Sequence, residues 1–303
     1  MAMTPEEFGG LLEPILRKVF FETYDSLPEQ YNKFLRVENS KKRTETDWRG
    51  AGLGMWDEHD MTVEYEDYAA GDTIEYTHTT FSKGIIIPFE LAEDDQYNVI
   101  GPRGQGTRAT QELSKGAKYR VEVDAASILN DGFTVNGYDG KPLFDDEHPN
   151  IKGGGTQDNL LTRELSEQGL REGRLLMRGQ ENEVGLKINA VGKRLIVPPD
   201  LEYTALKLTE SDHVPGTDHN DKNVIARMID SVVVLDHLDD EDAWFLQDPN
   251  LHQLLFLWRV KPEMFRDKDI DRFHFKFTGR MRFSYGYSDW RGMVGSTGAT
   301  SAD

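Results

Sequence analysis

The chain has 303 residues, and its 54 Asp and Glu against 35 Lys and Arg give a formal net charge of −19. This charge balance excludes a protein whose whole surface binds nucleic acid or an anionic membrane, because binding to either needs clustered positive charge. The absence of cysteine excludes disulfides, thiolate metal sites and cysteine nucleophiles together. Hydrophobic residues at 37% are too many for a disordered chain, and no apolar run approaches the ~20 residues that cross a bilayer.

The first predicted element is an amphipathic helix near the N-terminus. Thr4 supplies an N-cap hydroxyl, and Pro5 suits the first helical position. Apolar residues then recur at helical spacing, namely Phe8, Leu11, Leu12, Ile15, Leu16, Val19 and Phe20. The helix either docks on its own domain or acts as an arm that docks on a neighbouring subunit. Residues 29–60 show no sustained period and predict an extended arm, so we expect Leu12→Asp with Leu16→Asp to weaken assembly and spare the monomer's melting temperature.

A β-hairpin is predicted over residues 61–82. Apolar and polar residues alternate on both sides of a turn at 69–72, with Met61, Val63, Tyr65, Ile74 and Tyr76 on one face. Both strands are poor in aliphatic residues, and an isolated two-stranded ribbon is at best marginally stable in water. We therefore expect the hairpin to project and to find support on another chain.

A long helix is predicted from about Thr107 to Asn130, where apolar residues again follow helical spacing and Gly132 suits the C-terminal stop. At ~1.5 Å per residue such a helix would be about 35 Å long. Between 134 and 245 the pattern predicts turn-rich loops, helices near 162–178 and 200–210, and short strands at 195–197 and 232–235.

The C-terminal end predicts a very long strand. From Phe273 to Tyr287 large apolar residues fall on odd positions and polar residues fall between them. Gly279 lies in phase with the apolar face and predicts a bulge or bend. A long helix, long strands and a projecting hairpin together indicate an elongated α+β molecule.

Two segments resemble chemical sites. The glycines of Gly101–Arg108 are spaced like a phosphate loop, but Thr107 stands where that loop needs a lysine. Asp145, Asp146, Glu147 and His148 suggest a metal site, but neighbours in sequence cannot all converge on one ion. We therefore expect no catalytic, cofactor-binding or metal-ligating residue. The alternative is a soluble metal-dependent enzyme or binding module with a site near His148.

Several longer stretches occur together in a characteristic order. They are Thr4–Tyr24, Phe81–Asp95, Ile128–Phe133 with Tyr138–Pro149, Leu195–Leu201 and Gly286–Gly292. This order resembles the major capsid proteins of tailed phages, in particular the major head subunit family of Mu-like phages. The glycine-rich residues 50–54 and the hairpin at Gly71 depart from what we expect of that family.

The resemblance implies the tailed-phage major capsid fold, an α+β fold that herpesviruses share. Residues 1–54 would form its N-terminal arm and residues 55–90 its extended β-loop. The peripheral domain would comprise 91–133, with the spine helix, and 246–303, with the long strands. The axial domain would comprise residues 134–245.

The resemblance also implies a function. The chain would be a non-enzymatic structural subunit that self-assembles into hexamers and pentamers of an icosahedral phage head. Its partners would be further copies of itself, a scaffolding protein, a portal and a decoration protein. The shell would enclose double-stranded DNA without sequence-specific binding, would need no membrane, and would be part of the virion after assembly in the bacterial cytoplasm.

Overall fold

The computed structural model describes residues 5–50, 52–56, 58, 65, 70–90, 104–150, 155–211, 223–269 and 271–298. The helices are α1 (Pro5–Ser26), α2 (Tyr31–Phe34), α3 (Gln105–Asn130), α4 (Glu167–Gly179) and α5 (Pro199–Glu210). The strands are β1 (Arg36–Asn39), β2 (Thr44–Gly50), β3 (Ala70–Thr77), β4 (Thr79–Pro88), β5 (His148–Pro149), β6 (Thr156–Gln157), β7 (Leu160–Leu161), β8 (Arg194–Val197), β9 (Ser231–Val234), β10 (Trp244–Gln247), β11 (Leu254–Asp269), β12 (His274–Tyr287) and β13 (Met293–Ser296). Among the helices so described, none has the length and apolar character that a membrane span requires.

One half of the fold is a four-stranded sheet in the order β1-β11-β12-β4. β11 and β12 pair antiparallel from Leu254 opposite Tyr287 to Asp269 opposite His274. The predicted alternation in β12 is confirmed, since Phe275, Phe277 and Phe283 are buried and the residues between them are more exposed. A strand of this length needs cover along its inner face, and two helices supply it.

The predicted bulge at Gly279 is wrong. Gly279 stays in register with Met264 on one side and Lys83 on the other. The irregular pairing lies instead on β11 between Trp258 and Glu263, a segment that contains Pro262, which cannot donate to a strand ladder. Packing does not require glycine here, because a Cβ would meet side-chain atoms of Phe20 and Leu113 at 3.8 Å, an ordinary contact distance.

The spine helix α3 is confirmed and spans 26 residues, about 39 Å at ~1.5 Å per residue. Helix α1 lies beside it, and Leu12, Leu16 and Phe20 are completely or almost completely buried. Their shared cluster includes one residue of α3 and several of the sheet region, namely Leu113, Ile87, Phe89, Met264, Phe275 and Phe277. The expectation that α1 docks on a neighbouring subunit is therefore wrong. The helix covers the sheet of its own chain, so Leu12→Asp with Leu16→Asp would not spare the monomer.

The extended arm predicted over residues 29–60 is also wrong for its first half. Tyr31 and Phe34 of α2 are buried in the main core, and β1 pairs in parallel with β11. Strand β2 follows at once. These elements escaped prediction because β1 is exposed along its whole length and β2 carries polar residues, so neither has an apolar period.

The other half of the fold is a five-stranded sheet in the order β7-β13-β10-β8-β9. Helices α4 and α5 confirm the two predicted between 134 and 245, and they pack with this sheet around a second core. β10 spans the expected domain boundary at 245/246, and β13 pairs with β10, away from the long strands. Strand pairing thus groups residues 293–296 with residues 160–247.

Candidate functional site

Strands β2 and β3 form a two-stranded ribbon, which we call the β2–β3 ribbon. It is a separate two-stranded sheet, with Thr44 opposite Thr77 and Gly50 opposite Ala70. The sequence predicted a hairpin here, but the partner of Ile74 and Tyr76 is β2, which the sequence had assigned to the arm. The predicted first strand around Met61 and Val63 lies outside the described residues.

An aromatic side chain, Tyr76, packs the ribbon against the body. Tyr76 is buried and forms a small cluster with Leu255 and Leu257 of β11, against which Ile74 is partly buried. The Tyr76 ring also lies over Gly286 of β12, where an added Cβ would come within 2.9 Å of it. A side chain at position 286 would therefore displace the ribbon.

A buried polar chain holds the base of the ribbon. His78, between β3 and β4, has Nε2 2.7 Å from the Ser40 hydroxyl and Nδ1 2.9 Å from the Ser284 hydroxyl. Ser40 in turn donates to the Glu45 carboxylate at 2.8 Å. Burial is the main cause that lowers the pKa of His78, and Arg282 adds to it. The neutral ring thus bridges the ribbon and β12.

The far end of the ribbon is different. Trp48 is 70% exposed, and beyond it Met55 and Trp56 are 76% and 94% exposed. Tyr65, also described, is 91% exposed. Large apolar side chains so open to water and so close in sequence indicate an interaction surface. We call residues 48–56 with Tyr65 the ribbon tip.

The proposed alternative site at His148 is a structural cluster. His148 is buried, with Nδ1 2.8 Å from Asp139 Oδ2, Nε2 3.1 Å from Asn159 Oδ1, and its ring stacked 4.3 Å from Trp290. Both ring nitrogens are thus engaged by side chains of the protein, so neither is directed at open space in which a metal ion could bind. The nearby carboxylates turn elsewhere, since Asp145 and Glu147 both contact Lys141.

Across the described ranges, no three His, Asp or Glu side chains converge so that they could hold a metal ion. Of the predicted glycine-rich segment, residues 101–103 lie outside the described ranges. Gly104 is the N-cap of α3, and Thr107 is buried within the helix. The described part of the segment, Gly104–Arg108, is thus the start of the spine helix.

Two buried charged residues on α3, Lys118 and Glu122, were not predicted from the sequence. Lys118 of α3 is buried and donates to Glu29 at 2.6 Å. One turn along, Glu122 accepts the backbone N–H groups of Gln30 and Tyr31 at 3.1 and 2.9 Å. Burial raises the pKa of Glu122, although the two backbone hydrogen bonds oppose the shift. The i, i+4 spacing of Lys118 and Glu122 was visible, but their partners are about 90 residues away.

Known proteins provide a direct comparison. Residues 71–296 match the sequence model of a family described as phage capsid protein. The major capsid protein of Escherichia phage Mu is 32% identical over 165 residues, which is 52% of this chain and 50% of that protein. The chain therefore spans about half the length of this curated relative.

Solved structures share the fold. A chain from the procapsid of bacteriophage JBD30 matches with a TM-score of 0.54 and 16% identity, covering 99% of this chain and 77% of that one. A chain from the capsid of the native GTA particle matches with a TM-score of 0.58 and 13% identity, covering 90% and 92%. These likenesses confirm the predicted α+β capsid fold.

Proposed function

The chain belongs to the phage capsid protein family, and from that membership we propose that it is the major capsid subunit whose copies form the closed shell of a phage head. Its work is self-association, without a chemical reaction. The shell is part of the virion and is assembled in the cytoplasm of the bacterial host.

The observation that carries the proposal is the ribbon tip. A single chain leaves Trp48, Met55 and Trp56 exposed, at the end of a ribbon that its own body holds mainly through Tyr76. A two-stranded ribbon gains little stability alone, so the tip suits burial on a neighbouring copy. Copies related by rotation would then form the hexamers and pentamers of an icosahedral shell.

The domain roles follow the same proposal. The β2–β3 ribbon is the extended β-loop, although it begins at Thr44 and not at residue 55. The four-stranded sheet with α1 and α3 is the peripheral domain. The five-stranded sheet with α4 and α5 is the axial domain around the capsomer centre, and β13 belongs to it by strand pairing.

The remaining partners are proposed on the same basis. A scaffolding protein would guide assembly, a portal would occupy one vertex, and a decoration protein would bind outside. Double-stranded DNA would lie against the inner face. With a net charge of −19 the subunit repels DNA on average. DNA that a packaging motor drives into the shell would therefore not bind tightly to the inner face.

The test is expression of the chain followed by sedimentation and negative-stain microscopy. We expect capsomers or closed particles. A variant in which residues 51–69 are replaced by a short Gly-Ser turn keeps the β2–β3 pairing and removes most of the ribbon tip. We expect this variant to fold and to form no shells.

The matched control is Tyr203→Ser, which removes an aromatic side chain that is 78% exposed on α5, away from the ribbon. It should assemble like the unmodified chain. A compact monomer at high concentration for the unmodified chain, with or without its neighbouring gene products, would contradict the proposed function. Normal particles formed by the variant with the shortened ribbon would show that the ribbon tip is not needed for assembly.

A further inference from the structure

A groove on the five-stranded half of the fold carries the opposite charge to the molecule as a whole. It lies between α4 and residues 224–229 and has a volume of about 540 Å³. Its lining includes three arginines and one carboxylate, namely Arg171, Arg174, Arg178 and Glu167. On a chain with a net charge of −19 such a groove is a local exception, and we call it the arginine groove.

The arginines share one face of α4 because they are spaced at i, i+3 and i+7. Arg174 donates to the carbonyl of Met228 at 2.6 Å. Burial and the neighbouring Arg178 lower the pKa of Arg174. Throughout the part of the chain that the structure describes, no carboxylate lies within 4 Å of any of the three guanidinium groups. Within the described residues they therefore form no ion pair, although Asp230 lies close enough to favour the charged form of Arg174.

The groove is also apolar. Leu175, Val224 and Met228 line it and are 61%, 56% and 38% exposed. Apolar exposure beside unpaired arginines is typical of protein interfaces, in which arginine is enriched. A protein segment that carries carboxylates would complement this charge.

The chain itself presents such a segment. Residues 236–242 include five acidic side chains, all exposed, namely Asp236, Asp239, Asp240, Glu241 and Asp242. We call this segment the acidic loop. It is fixed in place, because Asn130 at the end of α3 donates to the His237 carbonyl at 2.9 Å and accepts from the Asp239 N–H at 3.2 Å. A loop that is already ordered loses little entropy when it binds.

The groove and the loop lie at opposite ends of one strand. Residues 224–229 directly precede β9, the acidic loop directly follows it, and β9 is an edge strand of its sheet. The strand separates them by about 13 Å at ~3.3 Å per residue. Because Asn130 ties the loop to α3, the loop cannot turn back to the groove of its own chain. Complementary surfaces at opposite ends of an element produce head-to-tail association, which forms a ring when the rotation between neighbouring copies closes.

We propose that the arginine groove of one copy binds the acidic loop of the next copy, head to tail around a ring. The inference deepens the proposed function, on which it rests, by naming the two surfaces that orient neighbouring subunits. Subunits of charge −19 repel one another in most orientations. A contact between the positive groove and the acidic loop selects the productive orientation, which is how charge complementarity acts at interfaces.

Charge reversal tests this contact. The groove variant carries Arg171→Glu and Arg178→Glu, and leaves Arg174 with its hydrogen bond. The loop variant carries Asp239→Lys and Glu241→Lys, whose side chains are exposed. Self-association is measured by analytical ultracentrifugation over a concentration series, and folding by circular dichroism and melting temperature. We expect each variant to fold normally and to self-associate at least about tenfold more weakly.

Two rescues separate a lost contact from general damage. The variant with all four substitutions has an acidic groove and a basic loop, so it should recover self-association. An equimolar mixture of the groove variant and the loop variant should also recover, since each then offers the other a complementary partner at both contacts. The control Arg227→Glu reverses one charge, half the change in the groove variant, at an exposed residue that is not part of the groove lining, and it should have no comparable effect.

The outcomes distinguish this inference from the proposed function. Shells formed normally by the groove variant would overturn the inference and leave the function standing. Normal self-association of the loop variant, with failure of the groove variant, would assign the groove to a different partner and also overturn it. Self-association that is lost in both variants and regained in the mixture supports the inference, even if the unmodified chain forms no closed particle.

Discussion

The β11–β12 ribbon and the β2–β3 ribbon use the same antiparallel pairing and end in opposite environments. The first is flanked by β1 and β4 and covered by α1 and α3, so its inner residues are buried. Among the described residues, the second has no further strand and has one buried apolar anchor, Tyr76. Backbone pairing is common to both, so the apolar face decides which ribbon belongs to the core and which is left for a partner.

The largest effect on stability should come from placing a charged residue in α1, the helix that covers the β11–β12 ribbon. Leu16 of α1 is fully buried, so Leu16→Asp places a carboxylate among Leu113, Phe275 and their neighbours. We expect the free energy of unfolding to fall by about 5 kcal/mol or more, from the lost packing and the buried charge. Urea unfolding of the soluble subunit measures it.

Ile15→Asp is the matched control on the same helix, because Ile15 is 39% exposed. It should cost far less than Leu16→Asp. Equal and small effects of the two substitutions would place α1 outside the core of its own chain and would restore the idea of an arm that docks elsewhere.

The next effect concerns the cluster that joins residues 139–159 to the C-terminal segment. His148→Ala removes the ring that contacts Asp139, Asn159 and Trp290. It leaves Asp139 Oδ2 without its histidine partner, while Oδ1 keeps the hydrogen bond from the Lys141 backbone N–H. We expect a loss of about 3 kcal/mol or more in the free energy of unfolding. Elemental analysis of the unmodified protein should find no stoichiometric divalent metal. Bound metal that disappears on His148→Ala would reinstate the metal-site reading.

The same comparison explains what the sequence could predict. α1, α3 and β12 carry their apolar face within one continuous segment, so helical or alternating spacing revealed them. β1 and β2 carry none, because Arg36–Asn39 gains its place from parallel pairing with β11, more than 200 residues later. Their position depends on a partner strand that no local pattern encodes.

The His148 cluster and the arginine groove also combine features visible in the sequence with features that only the fold creates. The acids around His148 were visible, but the partners that make the ring structural, Asn159 and Trp290, are 11 and 142 positions along the chain. The arginine groove was not predicted, since Arg171, Arg174 and Arg178 look like an ordinary solvated helix face. Only the fold brings Val224 and Met228 beside them.

A smaller effect should be a loss of stability at acidic pH, caused by His252, which lies two residues before β11. Burial lowers the pKa of His252 to about 4, with Arg36 and Arg194 adding to the shift. In the unfolded chain the pKa is about 6.5, so between these values the unfolded state binds a proton that the folded state does not. Stability should therefore fall by about 2–3 kcal/mol as the pH falls from about 7 to about 4.5.

Urea unfolding at the two pH values, for the unmodified chain and for His252→Asn, checks this expectation. The Asn variant keeps a polar side chain that does not titrate, so its stability should change less with pH. Taking the difference between the two proteins cancels Glu122, whose raised pKa acts in the opposite direction. The same pH dependence in both proteins would show that His252 does not titrate in this range.

Substitutions in the ribbon tip should have the smallest effect on folding. The same substitutions should have the largest effect on assembly. Trp48 and Trp56 are mostly exposed, so Trp48→Ser with Trp56→Ser removes little buried area from the single chain. We expect the free energy of unfolding to change by less than about 0.5 kcal/mol, as at other exposed positions. In a shell the same side chains would be buried on a neighbour, where aromatic anchors contribute most of the binding energy. Particle yield by sedimentation should therefore collapse while the melting temperature stays constant. If the melting temperature falls instead, the tip packs on its own body, and the contrast between the two ribbons is lost.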